Sequence, residues 1–161
     1  KKDRLIDPEL SKVAINYLTR RYGFEKYNKR VAAIGFSKST LIKGNEQEAE
    51  SISLLSRVDK VEYKKCEDIV RNDFIYGVCD VVSPSMDKII DIKTSWNINT
   101  FLPYRNCQLD KSHWFQMQGY LELYNIEIGE VCFVLLNTPQ YLVDREMAKY
   151  TEQYIFGEIS R

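Results

Sequence analysis

The four cysteines of this 161-residue chain, Cys66, Cys79, Cys107 and Cys132, stand singly, and no C-x-x-C occurs. That excludes a zinc ribbon, and a chain this rich in core-forming residues does not depend on a disulfide framework. The cysteines read as free thiols in a reducing compartment. Long apolar runs are also missing: none approaches the roughly 20 residues that a membrane-crossing helix needs, so no membrane association is expected. No signal-peptide pattern opens the chain, which begins Lys-Lys-Asp without Met and reads as a trimmed fragment. Internal repeats and low-complexity tracts are absent as well.

Net charge is zero, with 23 Lys/Arg against 23 Asp/Glu, but its distribution is uneven. Residues 1–43 hold 11 Lys/Arg and 4 Asp/Glu, a balance of +7; the remainder, with 12 and 19, balances at −7. A basic first third beside an acidic remainder suits a phosphate-binding flank around a metal–carboxylate site, though an ordinary solvated basic helix fits the same count. Hydrophobic residues make up 44% and charged residues 29%, the balance of a globular protein most simply read as one domain.

Residues 8–22 read as a helix, with Pro8 near its start and Leu10, Val13, Leu18 and Tyr22 apolar. Residues 23–45, containing "GFSKST" and "KGN", read as irregular. A second helix covers about 46–57, where Glu48, Ile52 and Leu55 recur at i, i+4 and i+7. Glu48 thus shares the apolar face, an unusual place for a carboxylate. Strands are expected near 61–68, 73–82 and 88–95, then a polar loop over 97–111. A helix follows from an N-cap at Ser112 to about Tyr124, then a doubly buried strand over 130–137 and a helix over 142–156.

The stretch "DKIIDIKTSW" (87–96) carries the decisive anomaly. Asp91 and Lys93 project from the same side of an isoleucine-rich strand, where unpaired charge is costly. With the turn "SPSMD" centred on Pro84 to Asp87, residues facing each other across the hairpin have numbers totalling 171, which sets Asp80 opposite Asp91. Their Cβ atoms would lie about 4.5–5.5 Å apart. Two opposed carboxylates are retained when a cation sits between them or one is protonated. A divalent ion with oxygen ligands, Mg²⁺ or Mn²⁺, fits best, and Lys93 would hold and polarise a water beside it. The other reading is a buried Asp91–Lys93 pair with Asp80 as a surface residue near the turn.

Four pieces in order, "GNEQE" (44–48), Asp80, "DIK" (91–93) and "QMQGY" (116–120), resemble the PD-(D/E)XK nuclease superfamily. They look most like its branch of RecB-like, phage lambda exonuclease-type and YqaJ-type viral recombinase nucleases, over roughly residues 44–137. The resemblance implies an α/β (α+β) fold with a restriction-endonuclease-like αβββαβ core, a central mixed sheet flanked by helices. It implies one nuclease domain over 1–161: a basic helix and loop (1–43), a catalytic core (44–137) and a C-terminal helix (138–161).

It further implies Asp80, Asp91 and the backbone carbonyl of Ile92 as metal ligands, with Glu48 completing the shell directly or through water. Lys93 would position the attacking water, and Gln116, with Gln118 beside it, would face the site and contact the DNA backbone or orient the lysine. His113 and Tyr120 share a polar seam with Gln116 and are read as DNA-contacting, while Trp114, Met117, Leu121 and Tyr124 form the packing stripe. Ser37, Lys38 and Ser39 are candidates for a phosphate-binding turn. Cys79 stands where the motif's proline would be, and the chemistry needs only Asp80. The expected protein is a Mg²⁺-dependent deoxyribonuclease, an exonuclease of phage-type recombination or DNA end processing, in the cytoplasm of a bacterial or phage-infected cell. DNA is the expected partner, with a homo-oligomer and a recombination partner protein compatible. An endonuclease of the same superfamily, and a catalytically silent DNA-binding or assembly module on the same fold, stay open.

Overall fold

β4 (Lys88–Ser95) is the strand on which the rest is built. The β-branched Ile89, Ile90 and Ile92 favour extended chain, and all three are buried. In the computed structural model, which describes residues 11–27, 38–105 and 109–159, β4 pairs antiparallel with β3 (Val81–Val82) and parallel with β5 (Ile128–Leu135). The sheet is therefore mixed, in the order β3-β4-β5. Helix α5 (Lys111–Tyr124) is the crossover that a parallel pair requires. A two-residue ribbon, β1 (Val70–Arg71) with β2 (Tyr76–Gly77), stands apart from this sheet. The remaining helices are α1 (Lys12–Tyr27), α2 (Lys38–Glu46), α3 (Glu48–Asp59), α4 (Ile98–Phe101) and α6 (Gln140–Ile159). A 3-10 turn follows α4 over Leu102–Arg105.

Successive side chains of β4 serve opposite faces. Ile90 and Ile92 pack with Ile52 of α3, Tyr63, Val81 and Val134. Ile89 packs with Cys79, Met117 of α5 and Ile126 on the other side. Each fully buried side chain of this size stabilises by roughly 1.5–3 kcal/mol, so the sheet is held from both faces. At Gly129 the backbone of β5 comes so close to α5 that an added Cβ would run into Met117. The architecture is mixed α/β with helices flanking the sheet, as the motif order implied.

Several local readings need correction. The expected strand over 61–68 reduces to an isolated bridge between Lys65 and Val81. Past α3 the chain turns left-handed at Lys60, and Tyr63 N–H donates to Ser56 Oγ, so the segment is tied back to the helix. The expected strand over 73–82 breaks because Asn72 Oδ1 accepts from the N–H groups of Phe74 and Ile75, making a turn there. The loop at 97–111 contains α4, whose capping box joins Asn97 and Thr100. Asp110, and not Ser112, caps α5: its carboxylate accepts from Ser112 N–H at 2.8 Å. The start of the first helix at Pro8 and Leu10, as well as Ser37 and Cys107, lie outside the described residues.

The segment read as irregular before residue 46 holds α2, for a reason that composition hides. Lys43, counted among the basic flank, is wholly buried. Its Nζ donates to the carbonyls of Ser95 (2.7 Å), Trp96 (2.9 Å) and Leu136 (2.8 Å) and to Thr138 Oγ1 (3.0 Å). One turn on, Gln47 Nε2 donates to Asn137 O at 2.8 Å, and Ser51 Oγ meets Thr94 Oγ1 at 2.9 Å. Residues 43, 47 and 51 thus form a polar stripe that staples α2 and α3 to the ends of β4 and β5. That staple sets where Glu48 stands.

Candidate active site

The hairpin from β3 to β4 has the register read from the sequence: Val81 pairs with Ile90 and Val82 with Ile89. Ser83 and Lys88 close the turn, with the Ser83 and Ser85 hydroxyls donating to Asp87 Oδ1. These two hydroxyls hold the Asp87 carboxyl below its ordinary range. Asp80 lies just beyond the paired residues. In place of a ladder bond, its Oδ2 accepts the N–H of Ile92 at 2.6 Å. The carboxylate therefore folds onto the edge of β4 beside Asp91. Burial raises its pKa first; the Ile92 N–H opposes this, and the charge of Asp91 raises it further.

Asp91 is buried in the middle of β4, 1% exposed. Lys93 Nζ donates to its Oδ1 at 2.9 Å and lies 2.8 Å from Oδ2. The second approach is an ion pair without hydrogen-bond geometry, so the Lys93 ammonium faces both carboxylate oxygens. Lys93 Nζ also donates to Gln116 Oε1 at 3.1 Å, and Gln116 Nε2 donates to Tyr120 OH at 3.0 Å. One turn of α5 thus hands a chain of polar contacts to β4. Tyr120 does two jobs, since its ring also packs against the Ile89 and Met117 cluster. Burial raises its hydroxyl pKa, against the opposing effect of Gln116.

Asp80 and Lys93 open on a cavity of about 560 Å³ between α2–α3 and the C-terminal half of β4, which Asp91, Gln116 and Tyr120 do not line. Glu48, Asp80, Ile92 and Lys93 line one part of it; Trp96, Tyr104, His113 and Phe133 line another. Glu48 begins α3 and its side chain is 22% exposed, bound to Lys65 Nζ at 2.8 Å. This hydrogen bond is the main cause that raises the Lys65 pKa. Among the described residues no group of three His, Cys, Asp or Glu side chains is gathered to hold a metal ion. The structure brings Asp80 and Asp91 together and leaves Glu48 with Lys65.

The remaining candidates divide. Gln116 reaches Lys93, whereas Gln118 is exposed on α5 and does not line the cavity. His113 is half-buried against Phe133, with ring centroids 6.0 Å apart, and lines the cavity. Lys38 is exposed, but Ser39 is wholly buried within α2 and so cannot form a phosphate-binding turn. Trp114, read as packing, is 49% exposed because α5 turns that flank outward. Cys66, Cys79 and Cys132 are free thiols, and burial pushes the Cys79 thiol up to about 12.

Two lysines and an aromatic pair escaped sequence reasoning. Lys65 and Lys43 sat among ordinary basic residues. Phe133 was hidden in the continuous apolar run "EVCFVLLN", where no period marks a face.

No family model and no curated protein matches the chain. Among solved structures, it is similar to a phage related exonuclease from Haemophilus somnus 129PT, with a TM-score of 0.58 and 29% identity. The likeness covers 83% of this chain and 60% of that one, so the chain spans about three-fifths of the length of that exonuclease. The fold is a mixed α/β fold shared with a nuclease. No helix among the described residues is long and apolar enough to cross a membrane.

Proposed function

We propose that this cavity is the catalytic centre of a divalent-metal-dependent deoxyribonuclease of the PD-(D/E)XK type, acting as an exonuclease. The observation that carries the reading is the pair of neighbouring carboxylates, Asp80 on a cavity wall beside the buried Asp91, with Lys93 2.8 Å from Asp91 Oδ2. Two neighbouring carboxylates repel, and one ammonium balances only one of them. A hard cation relieves the rest. The oxygen donors of Asp80 and Asp91, the Ile92 carbonyl and Glu48 suit Mg²⁺ or Mn²⁺. When bound, such an ion supplies positive charge to a phosphodiester and its attacking water.

The chain's own residues do the rest. Lys93 presents a fixed ammonium to the scissile phosphate, where it steadies developing negative charge and orients the attacking water. Gln116 fixes the direction of Lys93, and Tyr120 fixes Gln116. Lys65 and Lys93 pair with Glu48 and Asp91, and the exposed Lys26 and Lys38 add sequence-independent phosphate contacts, so binding weakens with salt. The likeness to a phage related exonuclease supports end-directed cleavage over the other readings.

Incubation of end-labelled linear DNA and closed circular DNA with Mg²⁺, Mn²⁺, Ca²⁺ or EDTA, for wild type and Asp91→Ala, tests the proposal. Metal-dependent loss of linear DNA alone, abolished in Asp91→Ala, is the expected result. Cutting of the circle makes the protein an endonuclease. No cleavage by folded wild type under any metal overturns the enzyme reading in favour of a DNA-binding module.

A further inference from the structure

The cavity is chemically two-ended, and the metal–carboxylate chemistry uses only one end. Phe133 pairs with Lys93 across the parallel β4–β5 ladder. Paired residues project to the same side, so Phe133 and Lys93 leave neighbouring strands side by side, their backbones about 4.8 Å apart. On that ring lies Tyr104, parallel to within 9° and 3.8 Å away. Tyr104 is 40% exposed and lines the cavity, so a ring already held on one face by Phe133 offers area on the other. It sits in the short 3-10 turn after Pro103, on a segment fixed upstream by the Asn97–Thr100 capping box. The edge of His113 against Phe133 holds the lower ring from a third side.

A two-ring stack ending in a half-exposed tyrosine is a platform for one more flat ring. From β4 to a base on the outer face of Tyr104 the path runs one strand spacing to Phe133, 3.8 Å up the stack to Tyr104 and one further ring spacing. The Lys93 side chain covers part of that path, and one nucleotide covers the rest from phosphate to base. We propose that Tyr104, backed by Phe133, is a nucleobase-stacking subsite for the nucleotide next to the scissile phosphate. This rests on the proposed function for the position of the phosphate. Stacking on a phenol face reads no base edge, so the subsite favours the presence of a base without choosing among the four. It adds affinity for a nucleotide that has left the duplex stack.

The test separates this subsite from the nuclease reading by measuring binding without cleavage. His113 is the single histidine of the chain, so its imidazole NMR signals report unambiguously from the stack. In Ca²⁺ or EDTA, deoxyadenosine 5′-monophosphate is titrated beside 2-deoxyribose 5-phosphate. The nucleotide is expected to shift the His113 signals saturably and to bind on the order of ten-fold more tightly than the sugar phosphate. Tyr104→Ala should erase that difference, whereas Tyr104→Phe should keep it, which also guards against a fold lost by the larger truncation. Equal binding of the two ligands by wild type, or a base preference that survives Tyr104→Ala, overturns the subsite. A protein that degrades normal strands and strands with an abasic end equally well keeps its nuclease assignment and loses the subsite. A protein that cleaves nothing but shows the base-dependent shift loses only the nuclease assignment.

Discussion

Asp80 Oδ2 takes the backbone N–H of Ile92 at 2.6 Å, so a side chain stands where a strand partner would. The same carboxylate feels burial and the charge of Asp91, and its pKa is raised from 3.8. A raised carboxyl favours the protonated form in the folded state. Its contribution to stability is present below 3.8 and is lost as the pH rises through the folded value. Asp80→Asn keeps an acceptor for Ile92 and removes the charge. At neutral pH without divalent ions, the variant should melt above wild type by roughly 2–4 °C, the shift that about 1 kcal/mol produces in a domain of this size. The gain should vanish toward pH 3.5. Thermal unfolding across pH checks both.

Divalent ion should reverse that order. At a hundred times its dissociation constant, a ligand that binds only the folded state stabilises by about 2.7 kcal/mol. Ca²⁺ or Mg²⁺ should therefore raise the melting temperature of wild type and leave Asp80→Asn and Asp91→Ala nearly unmoved. Equal shifts in all three would place any bound ion away from these carboxylates, and calorimetric titration would show the same.

The Lys93–Gln116–Tyr120 chain predicts graded kinetic losses. Lys93→Gln removes the charge at the phosphate and should lower kcat by roughly 10²- to 10⁴-fold. Tyr120→Phe removes a neutral contact worth about 0.5–1.5 kcal/mol, or roughly 2- to 12-fold in rate, and Gln116→Ala removes the acceptor of a charged donor, worth about 1.5–3 kcal/mol or roughly 12- to 160-fold. Because both act through Lys93, neither should slow a Lys93→Gln enzyme further. Additive losses in the double variants would mean that Gln116 and Tyr120 touch substrate independently.

How much of this was readable follows from which signals are local. The bounds of β4 and the Val81–Ile90 register came from a β-branched run between clear turn residues, so Asp91 and Lys93 could be placed on one face from the sequence. Glu48 could be placed because Ile52, one turn on, is buried. The short strands failed where single side chains took backbone partners, as Asn72 and Ser56 do. Lys43 failed because a lysine is ordinarily solvated, and only the carbonyls of distant strand ends reveal its burial. Phe133 failed because its face depends on a parallel partner more than 30 residues away.

Lys43 gives a pH signature of its own. Burial lowers its pKa from 10.5 to about 8, with Glu50 opposing. Between these values the unfolded chain binds more protons than the folded one, so the contribution of Lys43 to stability rises with pH there. Lys43→Met strands several acceptors and should cost about 2–4 kcal/mol. Urea unfolding at pH 7 and pH 9.5 should show the difference between wild type and Lys43→Met widening at the higher pH. A constant difference would mean that Lys43 keeps its proton throughout. The variant should also lose nuclease activity, because the staple that sets Glu48 is gone.

Gly44 separates a structural requirement from a functional one. It lies in α2 and lines the cavity, and a Cβ there would meet nothing within 4 Å. No packing demands glycine, and glycine inside a helix costs about 0.8–1 kcal/mol relative to alanine. Gly44→Ala should therefore stabilise the fold by up to that amount in urea unfolding. Yet the added methyl projects into space that a DNA backbone bound between Glu48 and Lys93 would cross. The expected outcome is a more stable protein with KM raised several-fold and kcat little changed. A stabilised variant with unaltered KM would show that DNA does not pass over this turn, and would move the substrate path toward the Tyr104 side of the cavity.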